Sequence, residues 1–372
     1  MGALELIQPL ESLRNLVKFH KITDKLEVPV RVLVTGNRGY IGTVLTQELL
    51  AEGYEVVGLD TDYYRGCEIY DPQVAIPQIE KDIRFVEADD FIGIDAIIHL
   101  AALSNDPLGE FRPGLTDEIN FKATLKIAQL AKQQGVKRFV YASSQSMYGI
   151  GDESKELDED DSEKNPVTAY ARTKWEAECA LKELGSDDFI VTCFRPSTVF
   201  GASPKLRCDI VFNNFVACAY TTGRIEIKSD GTPWRPVVHV KDVSKAFIAG
   251  LKAPADLVQN RSYNVGIPNG NFRVMDLAEA AGSVVPGCEI VITGEHGSDS
   301  RTYRVGFDRI LTELKDYYQP EWTLKKGGEE LVSMFDEIKF SDEHFRGRSC
   351  NRLLQLKYLV EKDQLDQNLV RR

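Results

Sequence analysis

The sequence predicts an α/β fold, with a doubly wound parallel sheet followed by a smaller C-terminal α/β lobe. Two observations support this fold class. From Val30 onward, short β-branched runs alternate with stretches of helical periodicity, which is typical of βα units. The runs are apolar almost throughout, as expected of parallel strands that helices bury on both faces.

Five strands are predicted before the alternation ends near Gly201. They are VRVLVTG, EVVGLD, DAIIHLAAL, RFVYASS and FIVTCFRPSTVFG, with helical stretches such as TVLTQELLAEG and INFKATLKIAQLAKQQG between them. The expected division of the chain is an N-terminal extension at 1–28, a first domain at 29–200 with 236–255 returning to it, a second lobe at 201–235 and 256–330, and a C-terminal helical tail at 331–372.

Composition and charge exclude several classes of protein. The 372 residues are 43% hydrophobic and 27% charged, close to the globular average. The net charge of −12 gives no overall field that would attract nucleic acid or a membrane surface, and no apolar run is long enough to span a membrane. The seven cysteines contain no C-x-x-C pair, so we expect a reduced, cytoplasmic protein without a metal site.

A glycine-rich turn directly follows the first predicted strand. Gly36, Gly39 and Gly42 have the spacing G-x-x-G-x-x-G and lead into a helix. In such a turn the first glycine permits the tight bend, the second lets the backbone approach a pyrophosphate, and the third allows close helix packing. The N–H groups at the start of the helix would face the phosphates, so this segment predicts a dinucleotide-binding, Rossmann-type domain.

Asp60 ends the second predicted strand, 24 residues after Gly36. This is close to the spacing at which a carboxylate accepts hydrogen bonds from the adenosine ribose of a dinucleotide. The 2′-phosphate of NADP would meet this negative charge, although Arg38 in the glycine-rich turn could offset part of the repulsion. The sequence therefore favours NAD over NADP as the cofactor.

Tyr170, Lys174 and Ser144 form the predicted catalytic set. Tyr170 and Lys174 stand four residues apart in the helical stretch TAYARTKWEAECALKEL, so both project from one face of the helix. Ser144 ends the RFVYASS strand, at the edge where such sheets bind ligands, and would orient a substrate hydroxyl. A tyrosine hydroxyl with a pKa of about 10 is a weak base, but an adjacent ammonium and a positive nicotinamide ring favour the phenolate.

Together these motifs resemble those of an extended short-chain dehydrogenase/reductase of the NAD-dependent nucleotide-sugar epimerase/dehydratase family. The resemblance covers residues 30 to about 310 and rests on VTGNRGYIG, Asp60, KDIR, HLAAL, EIN, SSQSMYG, YARTK and WRPVVHVKDV. It implies an NAD-dependent enzyme that acts on a nucleotide sugar as a homodimer. The cofactor-binding residues are then expected to be Gly36, Arg38, Gly39, Tyr40, Ile41, Gly42, Asp60, Asp82, Ile83, Leu100, Ala101, Ala102, Asn120, Tyr170 and Lys174.

The residues after Ser144 bear on the reaction that follows oxidation to a 4-keto sugar. By resemblance, dehydrating members carry an Asp-Glu pair directly after the catalytic Ser or Thr, and decarboxylating members carry a Glu near there. This chain has Gln145 and Ser146 at these positions. Neither side chain gains or loses a proton near neutral pH, so neither could act as the acid or base that removes water. Epimerisation is therefore expected by exclusion, with a 4-dehydrogenase, a ketoreductase or an unfamiliar dehydratase as alternatives. A dinucleotide-sensing protein without turnover would not need the predicted catalytic set.

Arginines in the second lobe are candidates for contacts with the nucleotide end of the substrate. By resemblance, Arg235 and Arg301 would bind its diphosphate, because planar guanidinium groups can bind such a group bidentately. Arg207 and Asn213 are further candidates of the same type. The predicted substrate-binding residues are Ser144, Gln145, Arg207, Asn213, Arg235 and Arg301.

Overall fold

The computed structural model describes residues 29–72, 74–151, 154–294 and 302–372. Its centre is a seven-stranded parallel sheet, which confirms the predicted fold class. Across this sheet the strands are β3 (Gln78–Glu80), β2 (Glu55–Asp60), β1 (Arg31–Thr35), β4 (Ala96–His99), β5 (Arg138–Ala142), β7 (Ile190–Pro196) and β11 (Arg261–Val265). The strand order reverses between β1 and β4, and ligands of open α/β sheets bind at the carboxyl ends of the strands beside such a point.

Helices follow the strands along the chain and cover both faces of the sheet. They are α1 (Tyr40–Ala51), α2 (Asp106–Phe111), α3 (Pro113–Thr116), α4 (Ala123–Gln133), α5 (Ala169–Leu184), α6 (Val211–Thr222), α7 (Val240–Lys252), α8 (Ala255–Val258), α9 (Val274–Val284), α10 (Asp308–Glu313), α11 (Leu324–Ile338), α12 (Asp342–Arg346) and α13 (Arg352–Glu361). A π-helical stretch, Asp117–Lys122, joins α3 to α4.

Strand β1 shows how the apolar runs build two cores. Val32 and Val34 join the apolar cluster that contains residues of α1 and α7, whereas Leu33 joins the cluster that contains residues of α4 and α5. All three side chains are fully buried. Successive residues of a strand point to opposite faces of the sheet, so an uninterrupted apolar run is what a strand covered on both faces requires.

Beside the large sheet, the described residues form three smaller sheets. One joins β8 (Thr198–Phe200), β10 (Trp234–His239) and β12 (Asn271–Arg273); another joins β9 (Arg224–Ile227) and β13 (Glu289–Ile292); the third joins β6 (Glu156–Leu157) and β14 (Arg304–Val305).

One stretch that the sequence assigned to the second lobe belongs elsewhere. Residues 256–330 were expected in that lobe, but β11 pairs with β7 at the edge of the seven-stranded sheet. Two of its buried residues are polar, so the strand lacks the continuous apolar run by which the other strands were predicted. Their side chains are satisfied inside the protein, since Ser262 donates to Glu178 at 2.6 Å and Asn264 accepts from Tyr148 at 2.8 Å.

The C-terminal tail divides between the two parts of the molecule. Phe335 and Phe340 of its first half lie in the core of the second lobe, whereas Leu356 and Leu369 lie in a core of the first domain. The N-terminal extension expected at 1–28 lies outside the described residues. Across the part of the chain that the structure describes, no helix has both the length and the apolar character needed to cross a membrane.

Candidate active site

A cavity of about 530 Å³ lies at the carboxyl edge of the seven-stranded sheet, where the second lobe meets it. Most of the predicted site residues line this one cavity, although they come from distant parts of the sequence. They are Gly36, Gly39, Tyr40, Ile41, Gly42, Asp60, Asp82, Ile83, Leu100, Ala101, Ala102, Ser144, Gln145, Tyr170, Lys174, Arg207 and Arg235.

The glycine-rich turn has the geometry that a dinucleotide phosphate needs. Gly36 has a φ of +75°, and a Cβ there would lie 2.8 Å from the backbone nitrogen of Ala101. A Cβ at Gly42 would lie 2.1 Å from the carbonyl oxygen of Gly36, so only glycine allows α1 to approach so closely. Among the described residues, no side chain caps the N-terminus of α1 at Gly39, which leaves its first N–H groups for an anionic ligand.

Asp60 is held rigidly at the end of β2. Its Oδ2 accepts the N–H of Arg38 at 3.0 Å, and its Oδ1 accepts the N–H of Asp62 at 2.7 Å. Burial raises the pKa of Asp60, and these two hydrogen bonds oppose the rise. A carboxylate offers about four lone-pair sites, so the group keeps acceptor capacity for ribose hydroxyls.

The side chain of Arg38 is not where the sequence prediction requires it. The residue does not line the cavity, and its guanidinium lies 2.5 Å from Asp62 and 3.7 Å from Glu80. The carboxylates of Asp62 and Glu80 therefore hold the guanidinium of Arg38 away from the cavity. Only its backbone N–H acts at the cavity, through Asp60.

Asn120 and Asn213 were also predicted to contact ligand, but both lie behind the cavity wall. Asn120 is 1% exposed, and its amide exchanges hydrogen bonds of 2.8 and 3.2 Å with the backbone of Leu103. Asn213 is fully buried, accepting the N–H of Gly201 and donating to the hydroxyl of Tyr40. These amides are thus hydrogen-bonded inside the protein, and the structure does not place either residue in the lining of the cavity.

Lys174 is buried beside the strand that leads to Ser144. It is 3% exposed, and its Nζ donates to the carbonyl oxygen of Ala142 at 2.8 Å. The ammonium also lies 4.8 Å from the centre of the Tyr141 ring. Burial lowers the pKa of Lys174 to about 7, so both protonation states are populated near neutral pH.

Tyr170 lies one helical turn before Lys174 on α5, whose first turn is capped by Thr168. Burial raises the pKa of Tyr170 to about 12, and the neighbouring side chain of Ser144 opposes the rise. The sequence predicted that a neighbouring ammonium favours the phenolate. In the protein chain alone burial outweighs the positive charges, so this hydroxyl is protonated at neutral pH.

A buried ion pair that was not predicted from the sequence lies next to Ser143 and Ser144, on the side away from the cavity. Glu178 accepts hydrogen bonds from Ser143 and Ser262, each at 2.6 Å, and pairs with Arg195 at 2.5 Å. Arg195 is 1% exposed and Glu178 is fully buried. The available signal was spacing, since Glu178 follows Lys174 by one further turn of the same helix face.

The two residues that follow Ser144 also border the cavity. Gln145 donates its amide N–H to the carbonyl of Arg195 at 3.0 Å, and its Oε1 is buried without a hydrogen-bond partner among the described residues. Ser146 accepts a hydrogen bond from the hydroxyl of Ser144 at 3.1 Å. An amide and a hydroxyl therefore occupy these positions, and neither exchanges protons readily near neutral pH.

The second lobe contributes two of the predicted arginines. Arg207 lines the cavity in a bidentate ion pair with Asp209, at 2.9 and 2.8 Å. Arg235 lines it from β10, and its Nη1 donates to the carbonyl of Trp234 at 2.9 Å. Arg301 lies outside the described residues.

A third arginine, Arg352 of α13, lines the cavity although it was not among the predicted site residues. It lies in the C-terminal tail NRLLQLKYLVEKDQLDQNL, which resembles an ending of sugar-nucleotide enzymes but gave no role to any single residue. Contacts between such remote segments follow from tertiary packing and leave no local pattern.

Comparisons with known proteins agree with this geometry. The model of the NAD dependent epimerase/dehydratase family matches residues 32–266. UDP-glucose 4-epimerase of Bacillus subtilis is 28% identical over 277 residues, which cover 67% of this chain and 80% of that protein. UDP-glucuronate 4-epimerase of Thermodesulfobacterium geofontis is 31% identical over 244 residues, which cover 59% of this chain and 71% of that protein.

A similar solved structure is that of MoeE5 in complex with UDP-glucuronic acid and NAD. It superposes with a TM-score of 0.69 at 25% identity, over 82% of this chain and 99% of that one. Nucleotide-sugar dehydratases and a decarboxylase are among the other relatives. Since the family model covers more than half of the sequence, the chain belongs to the NAD-dependent epimerase/dehydratase family.

Proposed function

We propose that this protein is an NAD-dependent nucleotide-sugar epimerase that works through a 4-keto sugar. The observation that carries the proposal is the convergence of Ser144, Tyr170 and Lys174 on the cavity that also contains Asp60. The relatives named as epimerases of UDP-glucose and UDP-glucuronate support a nucleotide sugar as the substrate class.

The glycine-rich turn and Asp60 would hold the cofactor. The turn leaves room for backbone N–H groups to meet the phosphates, and the carboxylate keeps acceptor capacity for the adenosine ribose. When bound in its oxidised form, NAD supplies a positively charged nicotinamide ring that accepts a hydride from the sugar and can return it.

Tyr170 would act as the base at the C4 hydroxyl of the sugar. Its own hydroxyl is protonated in the chain alone, with a pKa of about 12, so an added positive charge beside it is needed to make it basic. Tyr170 and Ser144 both line the cavity, and Ser144 lowers the pKa of Tyr170, so the two side chains can share the sugar hydroxyl as a partner. Lys174, whose Nζ donates to the carbonyl of Ala142, adds a positive charge when it is protonated. Because its pKa is about 7, the size of this charge depends on pH near neutrality.

Epimerisation is favoured over elimination of water by the residues that follow Ser144. Gln145 donates its amide hydrogen to Arg195, and Ser146 shares its hydroxyl with Ser144. Neither is suited to remove a proton from C5 or to protonate a leaving hydroxyl. Return of the hydride to the other face of a 4-keto sugar requires no such group.

The test is a cofactor and product analysis of the purified protein. Denatured protein should release NAD, and native protein without added cofactor should convert one member of a nucleotide-sugar panel into an isomer of unchanged mass. UDP-glucose and UDP-glucuronic acid should be included in that panel. A product that lacks one water, or that differs by two hydrogens and forms only with added cofactor, would instead indicate a dehydratase or a dehydrogenase.

A further inference from the structure

The C-terminal strap, defined here as residues 351–371, braces the wall of the cavity just beyond Asp60. The hydroxyl of Tyr63 donates to the carbonyl of Leu369 at 2.5 Å, and the amide of Gln355 donates to the carbonyl of Tyr63 at 3.1 Å. Thr61 and Tyr63 themselves line the cavity. The apolar side chains that anchor the strap in the core of the first domain are Leu356, Leu359, Leu365 and Leu369.

Arg352 brings a buried positive charge from this strap into the cavity. It is 2% exposed, and its Nη2 donates to the carbonyl of Lys205. Its Nη1 is also buried and has no hydrogen-bond partner within the described ranges. The guanidinium carbon lies 4.3 Å from the centre of the Tyr64 ring. A carbonyl, an aromatic face and the charge of Asp209, which is paired with Arg207, compensate this buried charge only in part, because none of them accepts a hydrogen bond from Nη1. An anion at Nη1 would complete the site.

The surroundings of Arg352 indicate where that anion would lie. Tyr64, Arg207 and Arg352 line the same cavity, and the charges of both arginines oppose the rise that burial causes in the pKa of Tyr64. Arg207 is already paired with Asp209. The carbonyl of Arg207 accepts a hydrogen bond from Asn213, which also donates to Tyr40, the first residue of α1. The arginines and the uncapped start of α1 thus belong to the same part of the cavity.

We propose that Arg352 binds the diphosphate of the NAD cofactor, and that the strap thereby slows release of the cofactor. A nucleotide sugar also carries a diphosphate, but the position of Arg352 beside Tyr64, close behind Asp60 in the chain, favours the cofactor. The proposal rests on NAD as the cofactor and does not depend on which reaction the enzyme performs.

The experiment compares NAD retention in Arg352→Met with that in the unaltered protein. The bound NAD per chain is measured after purification, and its release rate is measured after dilution without any sugar. A charge-assisted contact predicts release that is roughly tenfold faster in the variant. Arg352→Lys should give an intermediate rate, because it keeps the charge but loses the planar fork.

The matched control is Arg348→Met, just before the strap. Arg348 donates to Gln355 at 2.7 Å and lies 3.6 Å over the Tyr358 ring, but it does not line the cavity. Its NAD release should stay unchanged. The increase in Tm that added NAD produces separates binding from folding: the increase should shrink in Arg352→Met and persist in Arg348→Met.

Two outcomes would overturn the proposal. If Arg352→Met lowers the Tm with and without NAD equally and releases NAD at the normal rate, Arg352 has a structural role only. If NAD release is unchanged but the KM for the nucleotide sugar rises, the arginine binds the diphosphate of the substrate. Both outcomes leave the proposed epimerisation untouched, since they concern binding and not the product formed.

Discussion

The ammonium of Lys174 donates to the carbonyl oxygen of Ala142 at 2.8 Å, joining α5 to the last residue of β5. Ser144 follows two residues later, and Tyr170 lies one turn earlier on the same helix. The separation between the proposed base and the serine is therefore set by a packed helix and a central strand. This arrangement provides the positional accuracy that proton transfer needs.

Replacing Tyr170 by Phe should abolish most turnover while leaving cofactor binding intact. The hydroxyl is the proposed base, and general acid–base catalysis contributes roughly 10²–10⁴-fold to a rate. Turnover and NAD content should be measured on the same preparation. Tyr141→Phe is the control, because the Tyr141 hydroxyl is buried without a partner in the described segments and does not line the cavity. Normal turnover in Tyr170→Phe would eliminate the assigned base.

The buried Lys174 should make stability depend on pH. Its pKa falls from 10.5 to about 7 because of burial, so between these values the unfolded state binds more protons than the folded state. The free energy of unfolding should therefore rise with pH across that window. Lys174→Met removes this dependence, so its stability relative to the unaltered protein should be greater at about pH 6 than at about pH 9, by on the order of 2 kcal/mol.

Denaturant unfolding of both proteins at the two pH values measures that difference directly. Other titrating groups are common to both proteins and cancel. A stability difference that is the same at both pH values would show that Lys174 is not desolvated as described.

Replacing Asp60 by Ala should narrow the preference for NAD over NADP. The carboxylate would repel a 2′-phosphate and accept hydrogen bonds from the ribose of NAD, so its loss should change the ratio of the two Kd values by roughly tenfold. Calorimetric titration with each cofactor gives the ratio. Glu55→Gln removes a charge from the other end of strand β2 without touching the cavity or Arg38, and it should leave the ratio unchanged.

The buried Arg195–Glu178 pair should contribute more to the free energy of unfolding than an exposed ion pair does. Arg195→Met removes the closest cationic partner of the buried Glu178 and leaves only Lys182 at 3.8 Å, which should cost about 3 kcal/mol of unfolding free energy. Arg172→Ala breaks a pair with Glu176 whose side chains are 43% and 39% exposed, and it should cost under about 1 kcal/mol. Equal losses in the two variants, measured by denaturant unfolding, would contradict the structural role of the buried pair.

Local spacing explains why much of the fold and site could be predicted from the sequence. The glycine-rich turn, Asp60 and the Tyr170–Lys174 pair each depend on a short segment whose geometry is nearly independent of the rest. The strands were visible because burial on both faces makes them apolar throughout. Strand β11 was missed because its buried Ser262 and Asn264 are satisfied by distant partners.

The remaining errors concern side chains whose environment is created by tertiary packing. Arg38 has the expected position in the glycine-rich turn, but Asp62 and Glu80 determine where its guanidinium goes. The side-chain amide of Asn213 already forms hydrogen bonds with the N–H of Gly201 and the hydroxyl of Tyr40. Arg352 reaches the cavity only because the C-terminal strap packs on the first domain, and no spacing rule relates it to Asp60.

The most direct test of the proposed epimerisation uses a nucleotide sugar that carries deuterium at C4. If hydride leaves C4 and returns from the same bound cofactor, the isomeric product should retain the deuterium at C4, with no net change in the NAD content of the protein. Deuterium recovered in released NADH, together with a sugar product that has lost two hydrogens, would show a dehydrogenase and contradict the account.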